Sequence, residues 1–182
     1  GEIDWRGAVS PLELRSERLV ASRGLSRVDL SGSQRLGATG VDDALDLEVR
    51  VKDWTARDLL RVIESDLDID TAVTGTLRLL GTRASPLGFG NLTSDGGRVS
   101  RLAYAKGDLR MRFEGAVTRI ESLKAEIGGG DFALKGLVVS DPSGVTAFDG
   151  DVEVREVELA DLGLQDPKSP AIGGHVSGRA IL

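Results

Sequence analysis

Apolar and polar residues alternate with a period of two over several stretches of the chain. The clearest are residues 45–52 (LDLEVRVK), 73–79 (VTGTLRL) and 109–114 (LRMRFE). Successive side chains of a β-strand point to opposite faces of the sheet, so this spacing predicts strands with one apolar and one polar face. The chain is therefore expected to be mainly β, and its apolar faces must cover either protein or a ligand.

The composition restricts the range of functions that the chain can have. The chain has 182 residues, of which 40% are hydrophobic, so it can form a folded core. It has 24 glycines and no cysteine, which predicts many short turns and excludes disulfides and thiolate metal sites. The formal net charge of -6 argues against a nucleic-acid partner, because nucleic-acid binders carry a basic excess.

One short helix and one internal repeat are predicted. Leucine and isoleucine at helical spacing, preceded by Thr55 as a cap, predict a helix from about Ala56 to about Ser65. A shift of 103 positions aligns residues 45–51 with 148–154 and residues 73–79 with 176–182. Pro167 and Pro170 fall in the second copy where the first has its helix, so a shorter helix or none is expected there.

The repeat predicts how the chain is divided into structural units. Residues 1–40 are interpreted as preceding strands, residues from about 41 to 143 as one repeat unit, and residues 144–182 as the start of the next. The chain begins without methionine and ends inside a strand pattern, so it is interpreted as a fragment of a longer β-repeat array. Any membrane anchor is expected to lie outside it.

No enzymatic or metal site is predicted. His175 is the only histidine, and no serine or threonine stands out as its partner in a catalytic triad. The alternating carboxylates at 66, 68 and 70 lack the later glycine and glutamate of a calcium loop. The chain is therefore expected to be a non-enzyme without a cofactor or metal.

The apolar side chains of the predicted strands are the candidate functional residues. Alternation alone favours a closed β-sandwich in which they form the core, and the alternative is a curved sheet whose apolar face stays open as a groove. The candidate lining of such a groove consists of Leu45, Leu47, Val49, Val51, Val73, Leu77, Leu79, Phe89, Leu109, Met111, Phe113, Phe132, Leu134, Val152 and Val154.

Two stretches resemble a known family. Residues 73–92, VTGTLRLLGTRASPLGFGNL, are similar to the repeated phrase of glycine, leucine and proline in the TamB family, relatives of the AsmA-like proteins. Residues 128–136, GGGDFALKG, are similar to the phrase that follows it in the same family. The resemblance covers roughly residues 45–182.

The resemblance implies a fold and a function. The implied fold is an elongated β-sheet curled into a U-shaped, taco-like hydrophobic groove, in a periplasmic bridge anchored in the inner membrane. The implied function is conduction of phospholipids between the inner and outer membranes, with the acyl chains in the groove. The alternative is a scaffold of the translocation and assembly module that docks barrel strands at its edges. The implied partners are phospholipid acyl chains, a TamA-type outer-membrane barrel and flanking repeats of the same chain.

Overall fold

The computed structural model describes residues 1–35, 44–58, 68–82, 85–140, 146–162 and 173–182. In the described part of the chain, residues 56–58 are helical, and the remainder of the predicted helix lies outside the described residues. In the second copy, a single 3₁₀ turn at Leu159–Leu162 follows the corresponding strand. No helix among the described residues is long and apolar enough to cross a bilayer.

Strands account for most of the described residues. In chain order they are β1 (Glu2–Val9), β2 (Glu13–Arg23), β3 (Ser26–Arg35), β4 (Ala44–Thr55), β5 (Ile69–Thr82), β6 (Pro86–Ser94), β7 (Gly97–Val99), β8 (Leu102–Tyr104), β9 (Lys106–Glu114), β10 (Val117–Ile127), β11 (Gly130–Ser140), β12 (Thr146–Glu158) and β13 (His175–Ile181).

The strands form one antiparallel sheet in the order β1-β2-β3-β4-β5-β6-β9-β10-β11-β12-β13. Each strand therefore lies beside its neighbour in sequence, except where the short strands β7 and β8 intervene. These two form a flap: β7 pairs with residues 69–71 at the start of β5, and β8 pairs with β7. Strands β1 and β13 are the two edges, each with one neighbour in the sheet.

The sheet is open and curved, and it does not close into a sandwich. Among the described residues, contacts between the long strands are almost wholly between lateral neighbours. The accessible surface is 12075 Å². A compact protein of this mass would expose about 8,400 Å². The predicted mainly β, curved open sheet is therefore confirmed, and the alternative of a closed sandwich is wrong.

Burial is concentrated at one end of the strands, which we call the plug end. It comprises the ends of β2, β4, β10 and β12 and the starts of β3, β5, β11 and β13. Val51, Ala56 and Val73 form a buried cluster there, and Trp54 and Leu92 pack against it. Ile127 and Val157, which are 1% and 0% exposed, are the most buried large side chains among the described residues and lie at the same end.

The strands fall into two matching series, β1–β5 and β9–β13. Gly24 and Gly128 both have positive φ, 64° and 52°, in the turns that join β2 to β3 and β10 to β11. Glycine adopts this left-handed backbone conformation without steric strain because it has no Cβ. The strands β2 and β10 also carry equivalent bulges, at residues 17–18 and 121–122.

A second pair of bulges matches at an offset of 103 residues. Asp53 in β4 and Glu156 in β12 both have positive φ, 49° and 51°. The backbone N–H of Asp53 donates to the hydroxyl of Thr74 at 3.0 Å, and that of Glu156 donates to the hydroxyl of Ser177 at 2.9 Å. Such bulges bend a strand and increase its twist. The structural match thus extends to residues 1–35, which the sequence pattern placed before the repeat unit.

Candidate functional site

An unbroken row of apolar residues and glycine crosses all eleven strands of the main sheet. Residues that are directly paired on antiparallel strands lie on the same face. The row consists of Ile3, Ala21, Val28, Val51, Gly75, Leu92, Leu109, Leu123, Leu134, Val152 and Ala180. With neighbouring strands about 4.8 Å apart, it is roughly 48 Å long. We call the face that carries this row the apolar face.

Parallel rows widen the apolar face on both sides. One runs from Trp5 on β1 through Val49, Leu77 and Met111 to Ile120 on β10. Another joins Leu47, Leu79, Phe113 and Phe148. A third joins Phe132 to Val154. The structure thus brings onto one face fourteen of the fifteen candidate residues predicted from the sequence, namely Leu45, Leu47, Val49, Val51, Val73, Leu77, Leu79, Leu109, Met111, Phe113, Phe132, Leu134, Val152 and Val154.

Phe89 is the exception and requires a correction. It pairs with Arg78 on β5 and with Arg112 on β9, so it lies on the opposite face. Its side chain is 50% exposed there. In β6 the even-numbered positions 88, 90 and 92 share the apolar face, and the aromatic ring stands at an odd-numbered position. Phe89 therefore does not line the apolar face.

Glycine occupies two of the β6 positions on the apolar face because neighbouring side chains lie over them. A Cβ added at Gly88 would be 2.3 Å from the backbone oxygen of Arg78 and 2.5 Å from the Phe113 ring. A Cβ added at Gly90 would be 2.6 Å from Cδ2 of Leu77 and 3.1 Å from the methyl carbon of Met111. The large side chains of β5 and β9 thus cover the β6 backbone, and the apolar surface remains continuous across it.

Several members of the apolar face were not predicted. Leu92, Leu123 and Phe148 lie on it, as do Ile120 and Val138. Their sequence alternation is interrupted by bulges or glycines, so a strict period of two does not include them. Pairing with a strand of clear alternation would have found them, because the register of one strand fixes the face of the next.

The apolar face is only partly covered. Apart from Val51 and Val73 at the plug end, the candidate residues that lie on it are half-buried. They belong to a single layer, since the long strands contact mainly their lateral neighbours. Contiguous exposed apolar surface on a protein is typical of interaction sites.

The opposite face is charged and held by ion pairs between neighbouring strands. Arg78 pairs with Asp46 and Glu48, and Arg179 pairs with Asp151 at 2.8 Å. On β3 the guanidinium of Arg27 donates two hydrogen bonds of 2.6 Å to the carboxylate of Asp29. These hydrogen bonds lower the pKa of Asp29 and raise that of Arg27. We call this surface the charged face.

Two shallow concavities also lie on the charged face. The larger, with a volume of about 660 Å³, crosses β6, β9, β10, β11 and β12 and includes Asp108, Lys124, Glu153 and Arg155. The smaller, of about 450 Å³, crosses β2 to β5 and includes Arg15, Asp46 and Arg78. Both contain acidic and basic side chains.

Among the described residues, no group of histidine, aspartate or glutamate side chains is arranged to hold a metal ion. The carboxylate of Glu158 lies 3.5 Å from Nε2 of His175, at the plug end. Comparison with protein-family models, with curated proteins and with solved structures gives no match to the chain.

Proposed function

We propose that the apolar face binds the acyl chains of phospholipids, as one segment of a surface along which lipids move between membranes. The observation that carries this proposal is the unbroken apolar row, which crosses eleven strands on a face that no second layer formed by the described residues covers. The chain is proposed to be a non-enzyme, because chemistry at this face is limited to burial of apolar surface.

The energetics favour an extended apolar surface over a small polar site. Burial of one methylene contributes about 0.8 kcal/mol, so an acyl chain of about 15 methylenes costs on the order of 12 kcal/mol when it leaves a membrane for water. A few hydrogen bonds cannot offset this cost. Apolar contacts can, and they are non-directional, so an acyl chain can slide from one part of the face to the next.

The dimensions of the face fit this ligand. Residues 45–51 of β4 place four apolar side chains on the face over six residue steps, which is about 20 Å. The hydrocarbon of one bilayer leaflet is about 15 Å thick. An acyl chain therefore fits along a strand, or across about three strands of the row. The whole row has room for several chains.

The family resemblance supports the same proposal. Members of the TamB family are expected to bridge the periplasm from an inner-membrane anchor to a TamA-type outer-membrane barrel. We propose this location, this barrel partner and flanking repeats of the same array for the present chain. The negative net charge and the mixed ion pairs of the charged face make that face compatible with an aqueous compartment.

Binding of a fluorescent fatty acyl probe to the purified 182-residue chain tests the proposal, combined with native mass spectrometry of chain incubated with phospholipid vesicles. The expected result is saturable probe fluorescence that phospholipid displaces, together with protein ions that carry one or more phospholipids. Absence of both would overturn the proposal. Probe affinity that is unchanged by a charge on the apolar face would also do so.

A further inference from the structure

Four central strands carry exposed apolar side chains on the charged face at the end opposite the plug end. We call this end the open tip; it comprises the starts of β6 and β10 and the ends of β9 and β11. Leu87, Val117 and Val139 lie there in one row of paired residues and are 45%, 36% and 43% exposed. Glu114 of β9, between the first two, is the one charged member of this row in the four strands.

The apolar face is also apolar at the open tip. Phe113 of β9 and Val138 of β11 lie on either side of Thr118, and Phe148 of β12 pairs with Val138. The turn that joins β9 to β10, residues 115–116, carries no charge. A single layer that is apolar on both faces buries more surface by entering an apolar medium than by lying against one partner surface.

Basic side chains predominate directly behind the open tip. In β6, β9, β10 and β11, four basic and two acidic residues lie on the open side of the apolar row: Arg110, Arg112, Glu114, Arg119, Glu121 and Lys135. Two basic and three acidic residues lie on the plug side: Lys106, Asp108, Lys124, Glu126 and Asp131. The net charge of these strands therefore changes from negative to positive toward the open tip, in a chain whose net charge is -6.

The arginine nearest the open tip on β10 is free to bind an anion. Arg112 lies 3.4 Å from the carboxylate of Glu121, whereas Arg119 has no ion pair among the described residues. Arg119 is exposed and lies two residues behind Val117, about 7 Å along the strand. Interfacial elements bury their apolar side about 5–10 Å into the boundary between headgroups and acyl chains. The Arg119 guanidinium therefore stands at the depth of the phosphates when Val117 reaches that boundary.

We propose that the open tip docks on the surface of a bilayer that contains anionic phospholipid. Leu87, Val117 and Val139 enter the boundary between headgroups and acyl chains, and Arg119 contacts lipid phosphates. The strands then stand on the membrane, and the apolar row runs parallel to it. Lipid that leaves the bilayer at the open tip reaches the apolar face beside Phe113. This inference rests on the proposed function and names the surface from which the apolar face is loaded.

Flotation of the full 182-residue chain with vesicles tests the proposal. The vesicles contain phosphatidylcholine alone or phosphatidylcholine with phosphatidylglycerol. Partitioning is expected to be about tenfold stronger with phosphatidylglycerol, and to weaken as salt is added. Each basic residue near an anionic surface strengthens binding about fivefold, so Arg119→Glu should lower the partition coefficient roughly twentyfold. The matched control is Lys124→Glu, on the same strand and face at the plug side, which should change it less than about twofold.

A single label tests which end of the strands meets the membrane. The chain has no cysteine, so one introduced cysteine can carry an environment-sensitive fluorophore. The emission of a label at Ala116→Cys, in the turn at the open tip, is expected to shift to the blue on phosphatidylglycerol vesicles. A label at Asp95→Cys, in the turn at the other end of β6, should not shift. Leu87→Asp should reduce the shift at position 116, and Thr93→Asp, on the same strand and face, should not.

Absence of flotation with phosphatidylglycerol vesicles would overturn the proposal, and so would equal losses in Arg119→Glu and Lys124→Glu. A blue shift at position 95 in place of position 116 would do so as well. Acyl-probe binding is measured on the same samples. Normal probe binding without flotation would overturn the docking alone and favour an acidic protein as the partner of the open tip. Flotation that depends on Arg119, without probe binding, would support the docking and overturn the proposed acyl site.

Discussion

Two apolar residues on adjacent strands give the most discriminating test of the apolar face. Leu77 lies at the centre of one apolar row, paired with Val49 on one side and Gly90 on the other. Phe89 directly precedes Gly90 in β6, and its side chain lies on the charged face. Leu77→Asp and Phe89→Asp introduce the same charge into neighbouring strands, about 5 Å apart across the sheet. Only the first places that charge on the apolar face.

The structure gives the expected size of the effect. An acyl chain about 15 Å long that crosses the strands covers about three of them, at about 4.8 Å each. A carboxylate at Leu77 excludes the chain from about one strand width, or a third of its contact. A third of roughly 12 kcal/mol is about 4 kcal/mol, and a chain on an open face is buried on one side only, which halves the loss. Leu77→Asp is therefore expected to weaken acyl binding by about 2 kcal/mol, roughly thirtyfold.

The assay is displacement of a fluorescent acyl probe by phospholipid, measured for the wild-type chain and both variants. Leu77→Asp should raise the dissociation constant about thirtyfold, and Phe89→Asp should change it less than twofold. Urea denaturation of each variant serves as the folding control. Met111→Asp, on the same row two strands away, provides a second variant should Leu77→Asp fail to fold.

Equal loss of acyl binding in Leu77→Asp and Phe89→Asp would refute the assignment of faces, because both sides of the sheet would then contact the ligand. Unchanged binding in both folded apolar-face variants would refute the proposed ligand site. A larger loss in Phe89→Asp than in Leu77→Asp would show that the charged face is the binding surface.

Three further predictions concern the contacts that shape the sheet. Thr74→Val removes the hydroxyl that accepts the Asp53 N–H, and we expect urea denaturation to show a free energy of unfolding lower by about 1 kcal/mol. Tyr104→Phe removes a hydrogen bond of 2.8 Å to the buried Thr71; a loss of about 1 kcal/mol and faster amide exchange in β7 and β8 are expected. Asp29→Asn should lower stability at pH 7 by less than about 1 kcal/mol. Because the folded-state pKa of Asp29 is lowered, its contribution is present above pH 4 and the difference should shrink as the pH falls further.

Matched variants control for these three substitutions. Thr76→Val, on the same strand as Thr74, should leave stability nearly unchanged, and Ser177→Ala should reproduce the loss if the two bulges are equivalent. Equal losses of stability in Thr74→Val and Thr76→Val would contradict the stabilising role of the Thr74 hydroxyl at the bulge. Asp95→Asn, in an exposed turn, controls for loss of a carboxylate. A stability difference at position 29 that does not shrink as the pH falls below 4 would contradict the effect of the ion pair. Unchanged exchange in β7 and β8 would contradict the role of Tyr104.

Strand periodicity explains why so much of the apolar face could be predicted. In residues 45–52 of β4 and residues 109–114 of β9, apolar and charged residues alternate without interruption, so a period of two assigns each of these side chains to a face. Strand β6 is different, because Leu87 and Phe89 stand at odd-numbered positions and Leu92 at an even-numbered one. Side-chain size alone favours Phe89 as a member of the apolar face, and only its pairing with Arg78 shows that the ring lies on the charged face.

The extent of the repeat was harder to predict than its existence. The ungapped offset of 103 aligns β4 and β5 with β12 and β13, but the earlier strands match at 104. For example, Gly24 corresponds to Gly128, and Gly32 corresponds to Gly136. The second series is one residue shorter than the first between its third and fourth strands. A search at a fixed offset therefore finds only half of the match. Turn and bulge positions identify the rest because they depend on backbone conformation.

The repeat also determines whether the apolar face continues from one series of strands to the next. Trp5 of β1 corresponds to Leu109 of β9, but the row of paired residues that starts at Trp5 meets β9 at Met111. The two series are therefore staggered by two residues, about 7 Å along the strands, over about 29 Å across the sheet. A stagger of one residue would turn every side chain of the second series to the other face. Because the stagger is even, the leucine and valine side chains of both series lie on the same face, and the apolar surface belongs to the repeat rather than to any single unit.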